Sequence, residues 1–168
     1  MFRKTEDFVH TAKYEFGGTF KVFEFMTDEM LHKKVEGYPR TPGFLAWHIN
    51  KTMTDMLAMA GLENTYQVPE EMPAGLTVAD LKAEFKKASE SALKEVQAHW
   101  KDENLTEEVP MYNEEMWTKG MTLLIVLTHQ IHHRGQLGVL MRICGCKVPG
   151  IYGPAKEEWS VYGMPEMP

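Results

Sequence analysis

The sequence predicts an all-α fold, a four-helix bundle. Three observations carry that expectation. Four long segments place apolar residues at helical spacing, two of them open on recognisable caps, and no stretch shows the alternation of a strand. The connections are rich in proline and glycine, and two long ones are compatible with a bundle. The 168 residues are 43% hydrophobic and 25% charged, ordinary values for a chain that buries a sizeable core, and residues 1–168 read as a single domain.

The first helix is expected from about Thr5 to Met26, with Phe8, Ala12, Phe16, Thr19, Phe20 and Phe23 at helical spacing. Gly17 and Gly18 interrupt it and mark a kink or a close helix contact. Thr27 caps a short turn, TDEMLHKK, whose Asp28 and Glu29 suit the positive end of a helix. After the break EGYPRTPG, Thr41 and Pro42 open the second helix, which runs to about Ala60 and is closed by Gly61. The connection LENTYQVPEEMPAG leads to a third helix, opened by a capping box of Thr77 and Asp80 and reaching about Lys101. The loop DENLTEEVPMYNEE precedes the fourth, from about Trp117 to Cys144. Gly145, Pro149, Gly150 and Pro154 keep the tail irregular.

Composition narrows the function classes. The net charge is −6 and no Lys/Arg cluster is present, so nucleic acid is not an expected partner. No apolar run approaches the ~20 residues of a membrane span. The stretch MFRKTEDFVH has no apolar region after its basic pair, and the two cysteines, Cys144 and Cys146, form no disulfide framework; a cytoplasmic location is the default expectation. The thirteen methionines read as core filling. No phosphate loop, nucleophile elbow or Ser/His/Asp signature is visible.

The informative stretch is LTHQIHHRGQL, Leu127 to Leu137, which sets three histidines into an apolar helix. At about 100° per residue, with His129 as zero, His133 lies at about +40° and His132 at about −60°. Ile125, Val126, Gln136, Leu140 and Ile143 surround the first two, so the apolar stripe is centred on His129 and His133, with Arg134 facing away. On the second helix His48 is likewise flanked by Phe44, Leu45, Thr52 and Met59. If the two helices face each other, three neutral imidazoles converge. Three nitrogens with open positions are the composition of a reactive metal site rather than a closed one. A lone inward histidine is more often a hydrogen-bonded core residue, and the spacing alone leaves that reading open beside metal ligation.

The block HQIHHRGQLGVLMRICGCKVPGIYGP resembles the DinB/YfiT-like superfamily, specifically its DinB branch. The family pairs a histidine near the start of its second helix with the motif H-x-x-H-H-R-G-Q on its last long helix. The matching positions are His48, in FLAWHINKTMTDM, and His129 and His133. The resemblance implies a four-helix bundle holding a divalent metal ion, zinc or nickel, on those three histidines, often as a homodimer. Some members of the superfamily are thiol-dependent transferases or isomerases, so a small-molecule substrate and a low-molecular-weight thiol are implied partners. Thiol transfer to an electrophile and metal-assisted hydrolysis both fit, and a non-catalytic metal-binding or stress-response protein is the competing reading.

Neighbouring residues are assigned around that set. His132 is expected at a helix interface, Gly135 to permit close packing, Arg134 and Gln136 to hold the family's helix-to-tail or subunit contacts, and Gln136 to reach a metal-bound water. Asp55, two turns beyond His48, is too far to share its ion, and Cys144 is too far from His133. His10, His32 and His99 read as surface or helix-end residues, and Trp47, Tyr152 and Trp159 as core or pocket-mouth aromatics.

Overall fold

The computed structural model describes residues 1–165. Its long helices are α1 (Thr5–Glu24), α3 (Pro42–Met59), α4 (Val78–His99) and α5 (Lys119–Ile143), with a single turn, α2 (Asp28–Leu31), between the first two. Neighbours around the bundle run α1, α4, α3, α5 and back to α1, and α3 lies most extensively against α5. This is the four-helix bundle the periodicity predicts.

Local chemistry explains where the helices begin and end. The Thr41 hydroxyl accepts the Phe44 N–H, and Thr77 and Asp80 bond reciprocally as a capping box. Gly61 and Gly145 adopt left-handed φ of 99° and 84°. Each lets the following residue, Leu62 or Cys146, bond back to the carbonyl of Leu57 or Met141 at 2.9 Å, which ends α3 and α5. Edge-to-face contacts of Phe85 with Phe16 and Phe23, at 6.0 and 5.4 Å between ring centres, join α4 to α1. Met30, Met53 and Met141 are among the methionines that do fill the core.

Several expectations need correction. A two-stranded antiparallel hairpin, β1 (Glu108–Pro110) with β2 (Met116–Thr118), stands where no strand was expected. Strands of three residues are too short to display alternation, and their turn relies on left-handed Asn113 and Glu114. The hairpin claims Trp117, so α5 starts at Lys119, capped by the Thr118 hydroxyl. The first helix runs unbroken through Gly17 and Gly18. Of the two roles the sequence allowed, Gly18 takes the close contact, since a Cβ there would lie 2.9 Å from Arg134 Nη1 and 3.1 Å from the Ile151 side chain. Gly135, by contrast, has open space where its side chain would be and does not serve packing.

Arg134, expected to face away, is 5% exposed. Its Nη2 donates to Glu15 Oε2 at 2.7 Å and its Nη1 to the Glu15 carbonyl at 2.9 Å and Thr19 Oγ1 at 3.2 Å. Tyr152 accepts from the same guanidinium and donates to Glu15 Oε2 at 2.7 Å, which ties the C-terminal segment across α1 and α5. The buried residues of α5 explain the reversal. Leu123, Val126, Leu127, Gln130, Leu137 and Met141 lie inward while Ile143 is exposed, so the core face is centred about 100° from His129, on the side of Arg134. Among the described residues no helix is long and apolar enough to cross a membrane.

Removing one partner of a buried pair leaves the other charge uncompensated. Glu15→Ala is expected to lower the unfolding free energy by about 3–5 kcal/mol. The paired replacement Glu15→Leu with Arg134→Met should lose clearly less; urea unfolding measures both, and a loss below about 1 kcal/mol for the single variant contradicts the clasp.

Candidate metal centre

His48 lies in the second turn of α3, and His129 and His133 lie one turn apart in the middle of α5. Because the two helices pack side by side, one ring nitrogen of each histidine falls within 4.8 Å of the other two. The ring centres are 5.2 Å apart for His48 and His129, 4.7 Å for His48 and His133, and 4.4 Å for His129 and His133. His133 is buried, whereas His48 and His129 are half-buried. The three therefore sit at the margin of the core, where the seam between α3 and α5 meets solvent.

Hydrogen bonds decide which nitrogens face the centre. The Thr52 hydroxyl gives its one hydrogen to the His48 carbonyl at 2.7 Å, so toward His129 Nδ1, 3.3 Å away, it can only accept. On that pattern His129 is assigned the Nδ1–H tautomer, which presents a bare Nε2. Gln136 Oε1 accepts from His133 Nδ1 at 2.8 Å, which leaves His133 Nε2 bare as well. The two Nε2 atoms are 3.2 Å apart. With both protons committed elsewhere, that approach sets lone pair against lone pair and calls for a positive charge between them. Tetrahedral zinc with Zn–N bonds of ~2.0–2.1 Å would hold two nitrogens about 3.3 Å apart, so the donor set and its spacing fit such an ion.

The electrostatics favour neutral ligands. Burial, then the neighbouring His133 and Arg40, hold the His48 pKa at about 4, against 6.5 for an unperturbed imidazole. Burial, then His133 and His48, place His129 at about 4 also. His133 is lowered chiefly by burial, with the Gln136 hydrogen bond opposing. All three are free to donate a lone pair at neutral pH.

Thr52 was not singled out from the sequence as an orienting group, although its place one turn beyond His48 on the same face was visible. Gln136 holds the far side of the His133 ring rather than reaching toward a water at the centre, and its Nε2 donates to His132 Nε2 at 3.0 Å. His132 is exposed rather than packed between helices of this chain. Asp55 is taken by Lys51, whose Nζ lies 2.8 Å from both carboxylate oxygens and 2.9 Å from Glu70. Cys144 and Cys146 stand at the far end of α5 as free thiols outside the histidine group. His10, His32 and His99 are exposed and stand apart from it. Trp47 is a core residue whose Nε1 donates to the Pro69 carbonyl at 3.0 Å.

The DinB family model matches residues 1–167. The chain is 33% identical over 165 residues to the uncharacterized protein YrdA of Bacillus subtilis, covering 98% of this chain and 97% of that one. The crystal structure of a DinB-like protein from Bacillus cereus superposes with a TM-score of 0.83 at 28% identity, over 90% of this chain and 100% of that one. A DinB-like protein from Bacillus subtilis shares the fold, with a TM-score of 0.67 at 18% identity over 86% and 97% of the two chains.

The depressed imidazole pKa values make stability pH-dependent. Below pH 6.5 the unfolded chain takes up protons that folded His48 and His129 refuse until about pH 4. The folded state therefore loses stability as pH falls through that window. Metal-free protein is expected to show a urea midpoint that declines from pH 7 to pH 5, with a shallower decline in His48→Gln and His129→Gln. A decline as steep in both variants as in the wild type would contradict the assignment.

Proposed function

The chain belongs to the DinB family, and we propose that it is a metal-dependent enzyme acting on a small molecule, with a divalent ion, zinc or nickel, held by His48, His129 and His133. The observation that carries this reading is the convergence of one ring nitrogen from each of three histidines within 4.8 Å of one another, two of them 3.2 Å apart. An ion in that place would act as a Lewis acid, lowering the pKa of a thiol or water so that a nucleophile forms near neutral pH. Transfer of a low-molecular-weight thiol to an electrophile and metal-assisted hydrolysis are the two reaction classes compatible with such a centre.

The chain's own residues prepare the centre in three ways. Thr52 and Gln136 fix the tautomers and ring planes of His129 and His133, so the donors are aligned before anything binds. Burial keeps the imidazoles neutral, which spares binding the cost of removing protons. Half-exposure of His48 and His129 leaves the solvent side accessible to a substrate. The protein would act in the cytoplasm and as a homodimer.

Elemental analysis of purified protein is expected to find one divalent ion per chain, lost in His133→Ala. Gln136→Ala should weaken metal affinity by about 10–100-fold with the fold intact. A panel of thiol and electrophile pairs should reveal turnover that disappears in His133→Ala. Stoichiometric metal without turnover across the panel would return the protein to a passive binder, and no metal at all would reduce the cluster to a hydrogen-bonded one.

A further inference from the structure

Along the seam of α3 and α5, one turn from the histidines and lined by none of them, lies a half-open cavity of about 280 Å³, bounded by Tyr38, Pro39 and Arg40 from the segment before α3, Leu45 from α3, and Gln136 and Leu140 from α5. It shares Gln136 with the centre, since the same side chain accepts from His133 Nδ1. Arg40 is the one cation in its wall. The Arg40 guanidinium sits 5.4 Å above the Phe44 ring, and Phe44 stacks on His48 with ring planes 10° apart and centres at 6.4 Å. Guanidinium, phenyl and imidazole thus form a short ladder from the cavity to the centre.

Among the described residues Arg40 makes no ion pair. Arg40 is solvent-exposed, and in a chain with 24 acidic and 18 basic residues it stands at the cavity wall without a carboxylate of its own. The positive end of α3, which begins at Pro42, adds to the same potential. The remaining wall is largely apolar: Pro39, Leu45 and Leu140. The guanidinium fork suits carboxylate and phosphate alike, but one cation over an apolar wall balances a singly charged group on a short hydrocarbon and leaves a phosphate dianion half-compensated.

We infer that this cavity receives the carboxylate of a small amphiphilic substrate on Arg40, with its apolar body against Leu45 and Leu140 and its reactive end toward the three histidines. Arg40 is then the residue that selects anionic substrates. The inference deepens the metal-dependent reading and rests on it for the reactive end, whereas the carboxylate seat itself needs no metal.

Calorimetric titration of chelator-treated protein with hexanoate, hexanol and hexylphosphonate tests it. Hexanoate should bind most tightly, with hexanol at least about tenfold weaker, and Arg40→Gln should erase that difference. Arg40→Lys, which keeps the charge without the planar fork, should lie between. Undetectable hexanoate binding, equal affinity for hexanol, or an unchanged Arg40→Gln would overturn the seat; tighter hexylphosphonate would overturn the carboxylate. Zinc uptake by wild type and Arg40→Gln is followed in parallel and should be equal. Loss of hexanoate binding with zinc uptake intact indicts the cavity alone, and hexanoate binding without zinc uptake indicts the metal centre alone.

Discussion

Two imidazole nitrogens held 3.2 Å apart, neither with a proton to offer the other, are the constraint around which this molecule is organised. In water such a pair would separate or share a proton. Here the Thr52 hydroxyl and the Gln136 amide have claimed the available hydrogens, and burial discourages a third. The arrangement persists because both rings project from one rigid helix and His48 closes on them from the next. Rigid elements position donors more accurately than loops do, which suits three nitrogens that have to share one small volume.

The rest of the bundle serves that seam. Arg134 follows His133 directly, yet points into the protein, where Glu15, Thr19 and Tyr152 satisfy it. One turn of α5 therefore has two jobs: one edge offers imidazoles to the α3 groove while the other anchors the helix to α1 and to the C-terminal segment. Gly18 makes room for that anchor, since a side chain there would collide with the guanidinium. The histidine edge lies at the margin of the apolar face rather than its middle. At that margin burial keeps the imidazoles neutral while His48 and His129 remain half-exposed.

Much of this was legible in order along the chain. Caps at Thr41 and Thr77, glycines at 61 and 145, and apolar spacing at 3.6 residues locate the helices because those signals are local. The candidate ligands were legible for the same reason, since residues four apart on a helix share a face whatever surrounds it. The centre of the apolar face was not. The sequence places Ile125, Ile143 and Phe44 beside the histidines, and hydrophobicity alone cannot distinguish an apolar residue that is buried from one left at the rim. That single ambiguity turned Arg134 outward. The hairpin was invisible because three-residue strands carry no period.

By itself, then, the chain determined its helices, their ends, and the sharing of one face by His129 and His133, all properties of residues within a few positions of one another. Only the tertiary structure decided that α3 lies against α5, which brings His48 to the pair across more than seventy residues of intervening chain. It also decided which edge of each helix faces the core. Those outcomes depend on how whole apolar faces interlock around a common interior, and no window of sequence contains the neighbours that settle them.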